Sequence, residues 1–241
     1  MAHARDTTAT ITASTSNPVT KAYTCGAGST LLVLMISYAP TRTGTPTYGG
    51  INLVQADSTR AYATSPEAAA EIWYLLMPPI AQSLTLSIPN SVGTSIWGVI
   101  SSYKAASGYS SVLDAASGNS GLSANPSLAP SAAIAGDVMV EILGDGYLSV
   151  PSGRTHTSID TKDWGAYIAA AQDGLIQNSG TVTAGFTESS DDWGMVCALF
   201  KEQALTAPVN VKTVNGLAVA SVKTLRSGLL SATGKTFNGL T

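Results

Sequence analysis

The 241-residue chain is poor in charge: Lys, Arg, Asp and Glu make up only 11% of its residues, against roughly 25% in an ordinary soluble domain. This scarcity excludes a coiled coil, which needs abundant Glu and Lys around an apolar heptad. Disorder is not expected either, because 44% of the residues are apolar. No apolar run exceeds six residues, whereas a membrane-spanning helix needs roughly 20. We therefore expect no membrane insertion.

Basic residues are also few. Twelve basic and fifteen acidic residues give a net charge of −3 and a pI near 5.2. The sequence holds no basic patch that would neutralise many phosphates, so nucleic-acid binding is not expected. The charge is unevenly spread: after Glu202 there are four basic residues and no acidic one, so this last stretch carries +4 and the rest carries −7. Such an asymmetry predicts a C-terminal segment with a task of its own.

Cysteine and histidine are scarce, with two of each. Cys25 and Cys197 lie far apart, and we expect two buried, reduced thiols because residues 1–12 contain no export signal. A disulfide is the alternative if the first and last strands are neighbours. His3 and His156 have no second ligand at metal-binding spacing, so no zinc site is predicted.

Ser, Thr and Gly are abundant and supply 80 of the 241 residues. Small polar and β-branched residues in such numbers favour strands and turns, so the predicted fold class is all-β. Gly49-Gly50 predicts a tight hairpin. Strands are predicted at residues 31–37, 47–48, 51–54, 69–76, 82–88, 96–103, 137–143, 164–171, 181–187 and 195–201.

The spacing of these strands predicts the architecture. Residues 105–130 are rich in Ser, Gly, Asn and Pro and are predicted to form a long loop system with one short strand at residues 111–113. About nine strands without intervening helices predict a two-sheet β-sandwich of jelly-roll type, because each sheet must bury an apolar face on another layer. We assign residues 1–204 to this domain, with an N-terminal arm, and residues 205–241 to a tail.

The tail is an imperfect repeat of VKTVNGL, VKTLRSGL and KTFNGL. Each unit joins an alternating, strand-like segment to an Asn-Gly or Ser-Gly turn signal. A unit this short cannot bury its own apolar side chains, so it must pack on copies of itself, on other chains or on a partner surface. A floppy terminus is the alternative. The residues expected to carry assembly or docking are Val211, Lys212, Val214, Leu217, Val222, Leu225, Leu229, Phe237 and Leu240.

No catalytic, cofactor or metal site is predicted. His156 with Asp160 or Asp163 is the one conceivable base pair, and no nucleophile elbow accompanies it. Solvated turn residues are the preferred interpretation of four aspartates that could bind calcium but lack its loop spacing: Asp160, Asp163, Asp191 and Asp192. Four glutamates are candidates for glycosidic cleavage by type only, and two of them, Glu71 and Glu141, could equally be solvent-facing strand residues; the others are Glu67 and Glu188.

The tryptophans and tyrosines are the remaining candidates for ligand contact. Trp73 and Trp97 lie in apolar strands and are predicted core residues. Trp164, Trp193 and Tyr147 lie at predicted loop–strand junctions and are the candidate glycan-contacting residues, because aromatic rings stack on sugars. A tryptophan whose indole N–H is satisfied at the rim of the sandwich is the preferred alternative.

Six ordered segments resemble a β-sandwich domain found in bacteriophage virion proteins and bacterial surface proteins: STLLVLMISY, PTYGGINLVQ, AEIWYLLMPP, QSLTLSIP, SIWGVISSY and GDVMVEILG. The most specific piece is WYLLMPP at residues 73–79, which follows the Tyr-Gly-Gly hairpin. The resemblance covers residues 29–201, and the C-terminal repeat units look like tails on virion proteins of tailed phages. Its motifs are structural landmarks and supply no catalytic residues.

This resemblance implies a non-enzymatic structural virion protein of a tailed phage: a capsid decoration, head-fibre or tail-associated subunit, made in the bacterial host cytoplasm. Its partners would be other virion proteins and further copies of itself, and a trimer is the expected homo-oligomer. The alternative from another class is a carbohydrate-binding, host-adhesion module that recognises a surface glycan through its loops. A glycan depolymerase built from loop carboxylates is a third possibility.

Overall fold

The computed structural model of the chain describes residues 3–39, 41–60, 69–130, 132–145, 151–163, 168–187, 191–205, 213–214 and 217–218. Every regular element among these residues is a β-strand, which confirms the all-β prediction. The strands are β1 Ala4–Ser14, β2 Val19–Thr24, β3 Leu31–Ala39, β4 Thr47–Tyr48, β5 Ile51–Asn52, β6 Val54–Arg60, β7 Ala69–Leu76, β8 Ser83–Ile88, β9 Ser95–Lys104, β10 Tyr109–Ser123, β11 Ser127–Leu128, β12 Ala132–Ala133, β13 Val138–Asp145, β14 Gly153–Arg154, β15 Thr157–Asp163, β16 Ile168–Leu175, β17 Gly180–Thr181, β18 Ala184–Thr187, β19 Asp191–Ala204, β20 Thr213–Val214 and β21 Leu217–Ala218.

Two antiparallel five-stranded sheets form the centre of the molecule. The first has the order β1-β9-β3-β7-β6 and the second has the order β10-β19-β13-β16-β15. Read along the chain, the second order repeats the first, with β1 replaced by β10, β3 by β13, β6 by β15, β7 by β16 and β9 by β19. The sandwich is therefore built from two halves that share one strand order, joined between β9 and β10.

Backbone irregularities repeat at equivalent places in the two halves. Strand β6 bulges at Ala56, between the residues that pair with Trp73 and Ile72 of β7. Strand β15 bulges at Ile159, at the matching place in its pairing with β16. A bulge bends a strand and re-aims a side chain. Both bulge residues pack into the apolar layer between the two sheets.

A second pair of matched bulges carries a matched ion pair. Asp6 bulges out of β1 and lies 2.6 Å from Lys104 at the end of β9. Asp114 bulges out of β10 and forms an ion pair with Lys201 of β19. Burial raises the pKa of Asp6, but its hydrogen bonds from Lys104 and Ser29 outweigh burial and lower the pKa overall.

Strands β3 and β13 are the central strands of the two sheets and are buried on both faces. Their inner faces, with residues such as Val33 and Val140, meet in a shared apolar layer between the sheets. Equivalent faces thus pack on each other, as in an isologous dimer interface. Polar bonds also cross between the halves: Arg5 donates to Asp173 at 3.0 Å, and Thr10 donates to Asp160.

Smaller sheets cover the outer faces. The sheet β2-β8-β4-β5 lies over the first half, and β11-β18-β14 lies over the second. Each encloses its own apolar cluster, one including Tyr48 and Leu86 and the other including Phe186 and Leu199. The predicted hairpin is confirmed: β4 pairs with β5 around Gly49 and Gly50, both at positive φ, which glycine adopts without steric cost.

Several sequence predictions need correction. The expected loop system at residues 105–130 contains a 15-residue strand, β10, paired with β19 along its whole length. The expected N-terminal arm is, from Ala4 onward, the edge strand β1. The count of about nine strands was too low, because the polar strands β1, β2, β6 and β15 lack apolar alternation. The jelly-roll connectivity stays a prediction, as does the boundary between domain and tail.

Candidate functional site

Trp193 does not lie at a ligand-accessible surface, contrary to its prediction as a glycan contact. Its side chain is buried in the outer cluster of the second half, and its Nε1–H donates to Ser123 Oγ at 3.0 Å. The alternative of a satisfied tryptophan is therefore the correct one. Trp73 and Trp97 are buried, as predicted.

Trp164 and Tyr147 fall outside the described residues. The strand ends that flank them in the sequence are described, and they lie in one row across the second sheet. Asp145, the last residue of β13, pairs with both Ile168 of β16 and Trp193 of β19, and Ile168 also pairs with Asp163 at the end of β15. The chain therefore leaves β13 and β15, and enters β16 and β19, at one end of the sheet.

The predicted assembly residues are described only in part. Val214 and Leu217 form a backbone pair in the β20–β21 hairpin, with two residues, Asn215-Gly216, between the strands. A strand at Thr213–Val214 was predicted for the first repeat unit, whereas its turn residues lie outside the described part of the chain. The other predicted assembly residues lie outside the described part of the chain: Val211, Lys212, Val222, Leu225, Leu229, Phe237 and Leu240.

The second half contains a buried network of polar side chains around Glu141. Glu141 lies in the centre of β13 and is fully buried. His156 Nδ1 donates to Glu141 Oε1, and Gln172 Nε2 donates to Oε2. The backbone N–H of Gly185 also donates to Oε2, at 3.1 Å. The carboxylate therefore accepts hydrogen bonds from three separate segments of the chain.

These contacts determine what the network can do chemically. Burial raises the pKa of Glu141, and the hydrogen bonds from His156, Gln172 and Gly185 counteract this only in part. A carboxylate on Nδ1 fixes the orientation of an imidazole and leaves Nε2 for a second partner. In the described part of the chain, no Ser, Thr or Cys donates a hydrogen bond to that Nε2. The network orients a histidine but supplies it with no described nucleophile.

The sequence-based pairing of His156 was wrong. Its acidic partner among the described side chains is Glu141, and Asp160 instead accepts a bond from Thr10 of the first half. The side chain of Asp163 lies outside the described residues. The alternative that Glu71 and Glu141 are solvent-facing strand residues is excluded, since both are buried. Each interrupts an otherwise apolar run, AAAEIWYLL and VMVEIL. A charged residue in such a run is the signal that could have predicted a buried, paired carboxylate.

Glu71 anchors a comparable network in the first half. Its Oε2 accepts from Arg42 Nε at 3.1 Å and from the same guanidinium's Nη2, and Oε1 accepts from the Tyr38 hydroxyl at 2.8 Å. Trp73 Nε1 donates to Oε2 at 2.6 Å. The Arg42 guanidinium also lies 5.3 Å from the Trp73 ring centroid. Both oxygens of the Glu71 carboxylate accept hydrogen bonds within this network. Glu71 and Glu141 belong to different halves, so they do not form a convergent carboxylate pair.

A cleft of about 390 Å³ opens beside the Glu141 network. Residues of all three strands β11, β18 and β14 line it. Its polar lining consists mainly of hydroxyls and one guanidinium, from Ser127, Thr155, Thr183, Thr187 and Arg154. Arg154 stacks over Phe186, with 5.5 Å between its Cζ and the ring centroid, and burial lowers its pKa. The lining carries no acidic side chain among the described residues.

The described residues contain no group of three or more metal-ligating side chains. Cys25 and Cys197 are free, buried thiols, as expected, and belong to different apolar clusters. No described segment forms a helix with the length and apolarity needed to span a bilayer.

Comparisons of the chain with protein-family models, with curated proteins and with solved structures found no match.

Proposed function

We propose that the protein is a structural virion component of a tailed phage, which assembles through its C-terminal tail. The observation that carries this proposal is the β20–β21 hairpin formed by the first of three similar tail units. Strands of two residues do not form a stable hairpin alone in water. The tail units therefore need a surface to pack on.

The body fits the role of a rigid block. Its apolar residues fill three internal clusters, and its buried carboxylates Glu71 and Glu141 are bonded within the body. The tail is then the element that binds a partner surface. The tail's charge of +4 beside a body of −7 favours contact between the tail of one copy and the body of another.

The first test is light scattering after size exclusion on the full chain and on a Val214→Asp, Leu217→Asp variant. A carboxylate at each position of the paired Val214–Leu217 site opposes burial. We expect a defined oligomer for the wild type and a folded monomer for the variant. Val92→Asp, which adds a carboxylate at a fully exposed turn of the body, serves as the matched control and should keep the oligomer.

The proposed location in a phage virion requires a second test, on phage particles. Particles from the producing culture are banded in a density gradient and analysed by mass spectrometry, and the chain is expected in the particle band. A monomeric full chain that is also absent from the particles contradicts the proposal.

A second candidate function is recognition of a neutral host glycan. The observation that favours it is the hydroxyl-lined cleft in the second half, whose sheet also contains the strand ends that precede Tyr147 and Trp164 in the sequence. Hydroxyls and one guanidinium match the hydrogen-bonding groups of a sugar. Glycan-array binding that is lost with Trp164→Ala and kept with Trp193→Phe, a change at the buried tryptophan, would support it. Silence across the array would exclude it.

A further inference from the structure

The two five-stranded sheets each have one charged edge strand and one edge strand with a long uncharged stretch. Strands β6 and β15 carry charges along their length, and charged edge residues discourage pairing with another chain. Strand β1 has no charged residue from 7 to 14, and its counterpart β10 has none from 115 to 123. Neither stretch contains proline. These two edges therefore lack the usual protection.

Strand β10 is held by pairing along one edge and by packing on one face. Among the described strands it pairs with β19 alone, from Tyr109 to Ser123. One of its faces packs on β6, where a Cβ at Gly118 would lie 3.2 Å from the Ser58 carbonyl oxygen. Asn119 and Leu122 are exposed. A rigid strand with an open edge offers a preformed row of backbone donors and acceptors.

The tail begins next to this strand. Ala204, the last residue of β19, pairs with Tyr109, and the Leu205 N–H donates to the Gly108 carbonyl at 2.9 Å. Thirty-six residues follow Leu205. Fully extended at about 3.3 Å per residue they reach on the order of 120 Å, more than twice the length of a 15-residue strand. The tail is long enough to reach a neighbouring copy.

Strand direction favours a neighbour over the chain's own β10. Since β19 ends where β10 begins, a tail that turned back along its own β10 would run parallel to it. All the named strand pairs in the described part of the chain are antiparallel. The tail of a second copy can approach from the other end and pair in the antiparallel direction.

The charge of the tail also favours the tail of a second copy as the occupant of this edge. The body that presents β10 carries a net charge of −7, and the partly exposed Glu202 of β19 lies opposite Ser111 near one end of β10. The tail has four basic residues and no acidic one. Opposite net charges on tail and body steer the tail of one copy toward the body of another.

We propose that the edge of β10 in one copy accepts a strand from a Lys-Thr-x-Asn-Gly-Leu unit in the tail of a second copy. This proposal rests on the proposed assembly function and names its acceptor surface. Each copy then donates one strand and accepts another, which is a heterologous contact that closes into a ring or continues as a chain. Backbone hydrogen bonds provide the affinity, and the lysines orient the tail.

The direct test uses two full-length variants with tags of different size. One carries Asn119→Cys on β10 and the other carries Thr213→Cys on β20. They are mixed and treated with a short bismaleimide. The native cysteines do not interfere because Cys25 and Cys197 are buried. We expect a cross-linked heterodimer from this mixture and little product when Val92→Cys, on a fully exposed turn, replaces Asn119→Cys.

A charge placed on the edge gives an independent test. Asn119→Lys sets a lysine against the basic tail, whereas Thr157→Lys adds the same charge to the already charged edge β15 of the same sheet. We expect Asn119→Lys to weaken self-association by about tenfold or more, and Thr157→Lys to leave it unchanged, in light-scattering titrations.

The outcomes separate the two proposals. If the Val214→Asp, Leu217→Asp variant is monomeric while Asn119→Lys still assembles and no cross-link forms, the tail drives assembly but β10 is not its acceptor. If the wild type is a monomer at every concentration, the proposed self-assembly through the tail and the proposed acceptor role of β10 are both overturned.

Discussion

The Tyr103 hydroxyl donates a 2.7 Å hydrogen bond to the Asp173 carboxylate across the interface between the two halves. The equivalent position at the other end of that interface is Phe200, which packs edge-on against Tyr74 with 5.4 Å between ring centroids. Tyr103 and Phe200 pair with the first residues of β3 and β13, Leu31 and Val138. Equivalent positions in the two halves therefore meet at the two ends of the interface. They form a hydrogen bond at one end and an aromatic contact at the other.

Removing the hydroxyl from this bond has a predictable cost. Tyr103→Phe leaves the buried Asp173 carboxylate with Arg5 as its remaining donor, and we expect a loss of about 1–3 kcal/mol in the free energy of unfolding. Tyr74→Phe removes a hydroxyl from a half-buried ring at the aromatic end and should stay within about 0.5 kcal/mol of wild type. Chemical denaturation measures both. Equal losses would show that the bond across the interface contributes no stability of its own.

The Arg42–Glu71 ion pair predicts a non-additive double mutant. Arg42→Leu leaves the buried Glu71 carboxylate without its cation and should cost about 3–5 kcal/mol. Arg42→Leu combined with Glu71→Gln removes the unpaired charge while an amide oxygen still accepts from Tyr38 or Trp73. The double variant should therefore be more stable than the single Arg42→Leu variant. A double variant that is less stable than either single one would contradict the assignment of Glu71 as an ionised partner.

Buried carboxylates predict how stability changes with pH. Burial raises the pKa of Asp137, Glu141 and Asp173 above their ordinary values near 4. The folded state then binds more protons than the unfolded state between the ordinary and the raised pKa, so this contribution to the free energy of unfolding decreases as pH rises through that window. Above the raised pKa the full penalty is present.

The measurement is the free energy of unfolding from denaturant titrations at closely spaced pH values above 4. Glu141→Gln removes one of these carboxylates, so its curve should fall less steeply with rising pH than the wild-type curve. Asp6→Asn is the matched control of opposite sign, because the folded-state pKa of Asp6 is lowered. Identical slopes for the wild type and Glu141→Gln would show that Glu141 does not titrate in this window.

The two thiols should be unreactive in the native protein. Both cysteines are fully buried, and burial raises the pKa of Cys25 to about 11 and that of Cys197 to about 12. Since the thiolate is the reactive form, a chromogenic disulfide reagent should detect no thiol in the native state and two after unfolding. Rapid reaction of either thiol in buffer would mean that its cluster opens under native conditions.

Local sequence patterns predicted the apolar strands well. The prediction for residues 69–76 matches β7 at both ends, and the Gly49-Gly50 hairpin was found because positive φ at a two-residue turn selects glycine. Only residues 111–113 of β10 were predicted as a strand, because the rest of its Ser-, Gly- and Asn-rich sequence is typical of a loop. It is a strand because the 14-residue strand β19 pairs along its whole length, a long-range contact that no local pattern contains.

The sequence by itself determined the fold class and the buried strands, since composition and alternation are local properties. The duplication was decided only in the tertiary structure. The Trp-Gly pairs that begin at Trp97 and Trp193 lie in equivalent strands, yet one indole faces the layer between the sheets and the other faces the outer cluster. Matching bulges at Ala56 and Ile159 share no residue type. The two halves share strand order and register but few side chains, because a backbone ladder constrains the main chain far more than the residues it carries.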